Sequence, residues 1–207
     1  MTTYRATCEI PELVQRALAL AAETGFTQSC TPEVGRLLRV LAAQVRGGVI
    51  GEIGTGCGVG TAWMASALPS TTRLVTVELD AERAAAVRAL LRPCPGVTVL
   101  AGDWHALLPY GPFDLLFADG GKAKEREPET LLRALRPGGL VVLDDLTPEE
   151  HWPPEWRGQP DPVRQFWLND PRLLATELLV TPTASVILAT RRPGVPDTGA
   201  GTSATDD

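Results

Sequence analysis

The residues best suited to chemistry are carboxylates that follow short apolar runs: Glu52, Glu78, Asp103, Asp119, Asp144 and Asp145. Any one of them could cap a helix or sit in a solvated loop. A series at the ends of successive runs points instead to one binding edge. Glu78 is placed to take both ribose hydroxyls through its two oxygens. Asp103, with Trp104 beside it, is placed to receive an adenine by hydrogen bond and stacking. A lysine, Lys122, follows three residues after Asp119 in a chain whose other basic residues, Lys124 apart, are arginines. Its amine can exchange a proton where a guanidinium stays charged.

Upstream, Val49 to Thr61 reads Val-Ile-Gly-Glu-Ile-Gly-Thr-Gly-Cys-Gly-Val-Gly-Thr. A β-branched run ends in glycines, and an apolar helical pattern through Trp63, Met64 and Leu68 follows at once. This predicts a buried parallel strand turning into a helix. Glycine admits positive φ and lets a ligand lie against bare peptide, while a helix start presents free N–H groups, so the turn reads as a nucleotide site. Gly54, Gly56 and Gly58 alternate, which departs from G-x-G-x-x-G and disfavours a hydride-carrying dinucleotide. Glu52 would repel a pyrophosphate and suits a cationic ligand carrying an amino group.

The elements that must position these groups alternate along the chain. Two helices, Glu9 to Glu23 and Pro32 to Gly47 with Thr31 as N-cap, are predicted ahead of the first strand. Strands follow at Leu74 to Leu79, Val97 to Leu100, Phe113 to Ala118 and Leu140 to Leu143, with helices at Asp80 to Arg92 and Lys124 to Leu135 between them. The alternation implies right-handed crossovers and a parallel sheet covered on both faces. Ligands of such a sheet sit at the carboxyl ends of the strands, where the acids fall. Leu146 to Pro162, rich in Pro and Trp, reads as a lid or active-site loop. A short helix is predicted over Asp161 to Asn169. Leu173 to Val180 and Ala184 to Thr190 are too close for a crossover and must pair antiparallel. The expectation is an α/β, Rossmann-like doubly wound seven-stranded sheet, mostly parallel, as one domain over residues 1–193, with a disordered tail from Gly194 to Asp207.

Net charge is −6 over 207 residues, so no basic surface is available to track a phosphate backbone, and nucleic acid is not expected as a partner. No apolar run approaches membrane-spanning length and no secretory leader pattern opens the chain. Cys8, Cys30, Cys57 and Cys94 lack metal or disulfide spacing, which fits free thiols in a reducing cytoplasm. The Arg, Ala, Gly and Pro bias suggests a GC-rich bacterial source.

The acid-x-Gly-x-Gly-x-Gly stretch from Glu52 resembles the first motif of the class I S-adenosylmethionine-dependent methyltransferases. Phe113-Asp-Leu-Leu-Phe-Ala-Asp-Gly-Gly-Lys122 and Gly138-Gly-Leu-Val-Val-Leu-Asp-Asp145 resemble F-D-x-x-F-x-D-x-x-K and G-G-x-x-x-x-D-N of the catechol O-methyltransferase-like, cation-dependent O-methyltransferases. Cys30 to Leu38 is similar to the segment that closes over the cofactor in bacterial members. The similarity covers about Gln28 to Asp145, with Gly121, Asp145 and Gly60 standing where an acid, an Asn and a cofactor-contacting serine are usual.

The resemblance implies S-adenosyl-L-methionine held by Glu52, Gly54, Thr55, Gly56, Gly58, Gly60, Glu78, Leu79, Asp103, Trp104 and Asp119, with Thr55 or Thr61 covering for the missing serine. It implies Mg²⁺, or another divalent cation, on Asp119, Asp144 and Asp145, which are hard oxygen donors of the kind such ions prefer. An acceptor with adjacent oxygens would chelate that ion, and Lys122 would take its proton. The implied activity is O-methylation of a small phenolic or catechol-like molecule. A metal-independent O- or N-methyltransferase and a non-catalytic S-adenosylmethionine or S-adenosylhomocysteine binder are the alternatives. A homodimer through the N-terminal helices is also implied. His105 is expected near the adenine edge; His151 in the Pro/Trp loop and an aromatic wall of Trp152, Trp156 and Trp167 are weaker candidates, since tryptophan is more often core or interface.

Overall fold

Seven strands form one sheet in the computed structural model, which describes residues 9–120 and 122–196. Cys8, Gly121 and residues 197–207 of the expected tail lie outside them. The first two helices are α1 (Glu12–Thr24) and α2 (Pro32–Gln44), each of which buries one apolar face. The Thr31 hydroxyl caps α2 by accepting from the Val34 N–H at 3.3 Å, as its position ahead of Pro32 predicts.

The strands and crossovers then run β1 (Val49–Ile53), α3 (Val59–Ala65), β2 (Arg73–Glu78), α4 (Ala81–Leu90), β3 (Val97–Ala101), a 3₁₀ turn (Trp104–Tyr110) and β4 (Phe113–Ala118). After them come α5 (Ala123–Arg126), α6 (Pro128–Ala134), β5 (Leu135–Leu146), a short 3₁₀ turn (Glu149–His151), α7 (Pro162–Asn169), β6 (Leu173–Thr181) and β7 (Ala184–Arg191). The strand order is β3-β2-β1-β4-β5-β7-β6. The first five strands are parallel, and β7 pairs antiparallel with both β5 and β6. This agrees with the expected doubly wound sheet.

Both faces of the sheet are covered. Ile50, Leu74, Leu115, Phe117 and Val142 point to the side where α2 supplies Val34 and Leu38. Val75, Leu116, Val141 and Leu143 point to the other side, where Leu131 and Trp167 lie. Buried residues on both sides explain why the strands read as continuous apolar runs rather than as alternation.

Two boundaries differ from expectation. The helix predicted over Lys124 to Leu135 is split, because Pro128 supplies no N–H and forces Glu127 out of helical geometry, to φ −135° and ψ 49°. Strand β5 starts at Leu135 rather than Leu140, running through the Pro137-Gly138-Gly139 stretch that looked like a turn. Gly139 makes this passage feasible: a Cβ there would lie 2.5 Å from the Phe113 carbonyl oxygen. Its register with β4 shifts between Phe113 and Leu115.

Candidate active site

The order of strands reverses between β1 and β4, which opens a crevice at their carboxyl ends. The chain leaves β1 by a turn in which Gly54, Gly56 and Gly58 all have positive φ, at 91°, 52° and 83°. The N–H groups of Gly54 and Thr55 both donate to the Val77 carbonyl, which ties the turn to β2. Close approach matters as much as dihedral angle. A Cβ on Gly54 would stand 3.0 Å from Gly120 Cα, and one on Gly58 would stand 2.8 Å from Val87. Gly54→Ala is therefore expected to lower the unfolding free energy by about 1–3 kcal/mol, read by urea denaturation. An unchanged midpoint would mean that the loop takes another path.

The cavity at this crevice has a volume of about 760 Å³. Its walls include Glu52, Gly54, Thr55, Gly56, Gly60, Glu78, Leu79, Asp103, Trp104, Asp119, Lys122 and Asp145. Most of the anticipated site thus meets in one place. Gly58 and Asp144 stand just outside it, the first as N-cap of α3 and the second on β5.

Local bonding refines the anticipated contacts. Glu78 Oε2 accepts from the Gly56 N–H at 2.8 Å, while Oε1 accepts from the Asp80 N–H at 3.0 Å and from Arg83 at 2.9 Å. Its carboxylate therefore braces the glycine loop as well as facing the cavity. Thr55 and Thr76 hydroxyls bond each other at 2.6 Å, and the Thr61 hydroxyl donates to Glu52. Neither threonine presents a free hydroxyl in place of the missing serine. A serine at position 60 would require the Glu52 carboxylate to shift, because any Cβ there would lie 2.5 Å from Glu52 Oε1. Trp104 is only 7% exposed and belongs to the core, with its ring 4.0 Å from that of His105. His105 does sit beside Asp103, bonding it through both its backbone N–H and Nδ1, and its Nε2 lies 3.1 Å from Glu127.

Glu52 is fully buried, and Oε1 has no hydrogen-bond partner. Desolvation raises its pKa from an ordinary 4.5 to about 7, against the lowering effect of the Thr61 and Thr76 hydroxyls. Asp119, Asp144 and Asp145 converge so that one carboxylate oxygen from each lies within 4.8 Å of the others. Burial raises Asp119 to about 8, with Asp144, Asp145 and Glu52 adding repulsion, and raises Asp144 to about 6. Asp145 adopts φ 60°, a conformation that Asp and Asn tolerate better than most residues. Three hard oxygen donors at this separation suit Mg²⁺ or a similar divalent ion, with the remaining positions left to water or ligand.

The two lysines stand in different surroundings. Lys122 has φ 54° and is exposed at the cavity mouth. Lys124, which the motif does not single out, sends its Nζ to donate to the Asp144 carbonyl oxygen. Its charge faces both Asp119 and Asp144. The Trp167 indole donates to the Lys124 carbonyl at 3.2 Å, which fixes this part of α5.

Sequence reasoning also missed Phe26 and Arg83. The Arg83 guanidinium lies 4.7 Å from the Phe26 ring centroid, and Phe26 stands against Gly56. An apolar residue in an otherwise polar interhelical loop was the one available signal. The aromatic wall is not formed: Trp167 is buried in the core, and Trp152 is 9% exposed with its indole bonded to the Thr147 carbonyl. Trp156 is exposed and, with His151, stands off the cavity. His151 Nε2 is held 2.8 Å from the Pro182 carbonyl oxygen.

A profile of a family described as "Methyltransferase domain" matches residues 52–146. A catechol O-methyltransferase of Niastella koreensis is 35% identical over 136 residues, covering 60% of this chain and 62% of the relative. The chain thus spans less than two thirds of that protein's length. The O-methyltransferase TomG of Streptomyces achromogenes, involved in tomaymycin synthesis and solved with S-adenosylmethionine, superposes with a TM-score of 0.73 at 26% identity, covering 90% of this chain and 92% of that one. An O-methyltransferase of Bacillus cereus solved with S-adenosylhomocysteine shares the fold, with a TM-score of 0.72 at 24% identity over 91% and 94% of the two chains. In sheet order, glycine turn and these likenesses the chain resembles the class I S-adenosylmethionine-dependent methyltransferases. Within that class it resembles the catechol O-methyltransferase-like, cation-dependent O-methyltransferase family. Among the described residues, no helix is long and apolar enough to cross a membrane.

Proposed function

We propose that the protein transfers a methyl group from S-adenosylmethionine to a hydroxyl of a small phenolic or catechol-like molecule, assisted by a divalent cation, with Mg²⁺ as first choice. The observation that carries this reading is the convergence of Asp119, Asp144 and Asp145 beside the cavity that the glycine turn also lines. In this reading the turn, Glu78 and Asp103 hold the cofactor and Asp119 contributes at the junction. The three aspartates hold the cation, and Lys122 Nζ receives the acceptor's proton. When bound, the sulfonium supplies the methyl group, and the cation supplies the charge that lowers the acceptor hydroxyl's pKa. The chain's own contribution is positioning: rigid strand ends hold both partners in one geometry, a large source of acceleration.

The setting proposed is a bacterial cytoplasm, supported by the composition and by Cys30, Cys57 and Cys94 standing as free thiols. Residues 1–193 are read as one domain. A homodimer through the N-terminal helices belongs to the same proposal, supported by the exposed Leu18 and Val40 on them. Lys124 favours a second reading, methyl transfer without a metal, because its ammonium already sits against the acids.

Titration calorimetry separates the readings. Metal-stripped protein is expected to bind S-adenosylhomocysteine with or without Mg²⁺, and to bind catechol only with Mg²⁺. Catechol heat indifferent to Mg²⁺ would favour the metal-free reading, and no binding of S-adenosylhomocysteine would remove both.

A further inference from the structure

We propose that Lys124 is a tethered counter-ion of the aspartate cluster that competes with the divalent cation, and so sets how tightly this chain holds it. The inference rests on the cation-assisted reading above and assigns a role to a residue outside the D-x-x-K pattern. Three features carry it. The Lys124 ammonium donates to the backbone carbonyl of Asp144, the middle member of the cluster. Among the described residues, its charge acts on both Asp119 and Asp144, against the repulsion of the neighbouring carboxylates. The buried Trp167 donates to the Lys124 carbonyl, which anchors the backbone from which the ammonium reaches the cluster.

The consequence follows from charge alone. Three carboxylates within 4.8 Å of one another repel, and Asp119 also feels Glu52. A nearby ammonium relieves that repulsion in the absence of a metal. An entering divalent ion must then either share the cluster with this positive charge or push it aside toward the cavity that Lys124 lines. Either event costs affinity. Lys122 carries no such penalty, since it stands exposed at the mouth. The chain therefore needs a higher free cation concentration than a site of the same donors without the lysine. It gains an acid cluster that stays compensated between cation binding events.

The test uses Mn²⁺ alone as probe, titrated into metal-stripped full-length protein saturated with S-adenosylhomocysteine. Lys124→Met is expected to bind Mn²⁺ about tenfold more tightly than the unaltered protein. Lys124→Arg, which keeps the charge, is expected to stay within about twofold. Lys124→Gln, neutral but still a donor to the Asp144 carbonyl, gives a second route to the same result if the Met variant folds poorly. It should match Lys124→Met if charge decides and the unaltered protein if the hydrogen bond decides. Mn²⁺ affinity in both neutral variants equal to or weaker than that of the unaltered protein, including no binding in any of them, overturns the competition. S-adenosylhomocysteine affinity, measured on the same samples, reports separately on the methyltransferase reading: cofactor binding with no gain in Mn²⁺ affinity sinks the lysine's role alone.

Discussion

Asp144→Ala is expected to lower kcat/KM for a catechol in the presence of Mg²⁺ by about 10³-fold, while S-adenosylhomocysteine affinity changes by less than about twofold. The two quantities separate because the residue belongs to one half of the site only. Asp144 is 5% exposed on β5 and stands just outside the cavity wall, while the half proposed for the cofactor is built on the turn after β1 and on Glu78 after β2. Truncation removes one of three converging oxygen donors and leaves Asp119 and Asp145 without the middle member. In the proposed mechanism, cation and acceptor then lose their common anchor, and the acceptor hydroxyl keeps its ordinary acidity. Initial rates at saturating cofactor, with and without Mg²⁺, would measure the loss. An Asp144→Ala protein that turns over a phenol panel at the unaltered rate would remove the cation from the mechanism and leave the metal-free methyltransferase.

The second large effect concerns stability and pH. Glu52 has its pKa raised by burial from 4.5 to about 7, with the charge of Glu78 adding to the rise. The groups facing it are the hydroxyls of Thr61 on α3 and Thr76 on β2, and Asp119 at the end of β4. The folded state therefore holds the Glu52 proton more tightly than the unfolded chain does. Its stabilising contribution is fully present below about pH 4.5 and is lost as pH rises through about 7. The full swing is about 3 kcal/mol. Glu52→Gln cannot ionise, so its advantage over the unaltered protein should be smallest near pH 4 and should grow by roughly that amount by pH 8. Urea unfolding of the cofactor-free proteins at the two pH values would decide it. Parallel pH dependences for the two proteins would show that Glu52 does not carry this linkage.

Much of this architecture is determined by residue pattern. Runs buried on both faces, glycines at 54, 56 and 58, and acids after each run specify a parallel sheet with its polar edge at the carboxyl ends, and the observed strand order supplies the crevice. The Thr31 cap was legible because it sits directly before a helical period and bonds the Val34 N–H; Asp80 and Asp161, expected as the first residues of their helices, cap them instead. The split of the helix at Pro128 could have been read from the proline itself. The entry of β5 through Gly138 and Gly139 could not, because it depends on how closely the Phe113 carbonyl approaches.

What only the tertiary structure decided is which side chains are free to act. Periodicity assigns a face within an element, but Lys122 and Lys124 are separated by a residue and straddle the start of α5. Their directions depend on the left-handed Lys122 backbone and on Trp167 from α7, contributed over 40 residues later. The threonines near the turn look available in sequence and are bonded to Thr76 and Glu52 in space. For the tryptophans the sequence leaves core and substrate wall both open, and burial decides that Trp152 and Trp167 belong to the packing. Local sequence determines element type and strand-end chemistry because both rest on neighbours along the chain. Partner choice, burial and the resulting charge state rest on neighbours across the sheet, which only folding brings together.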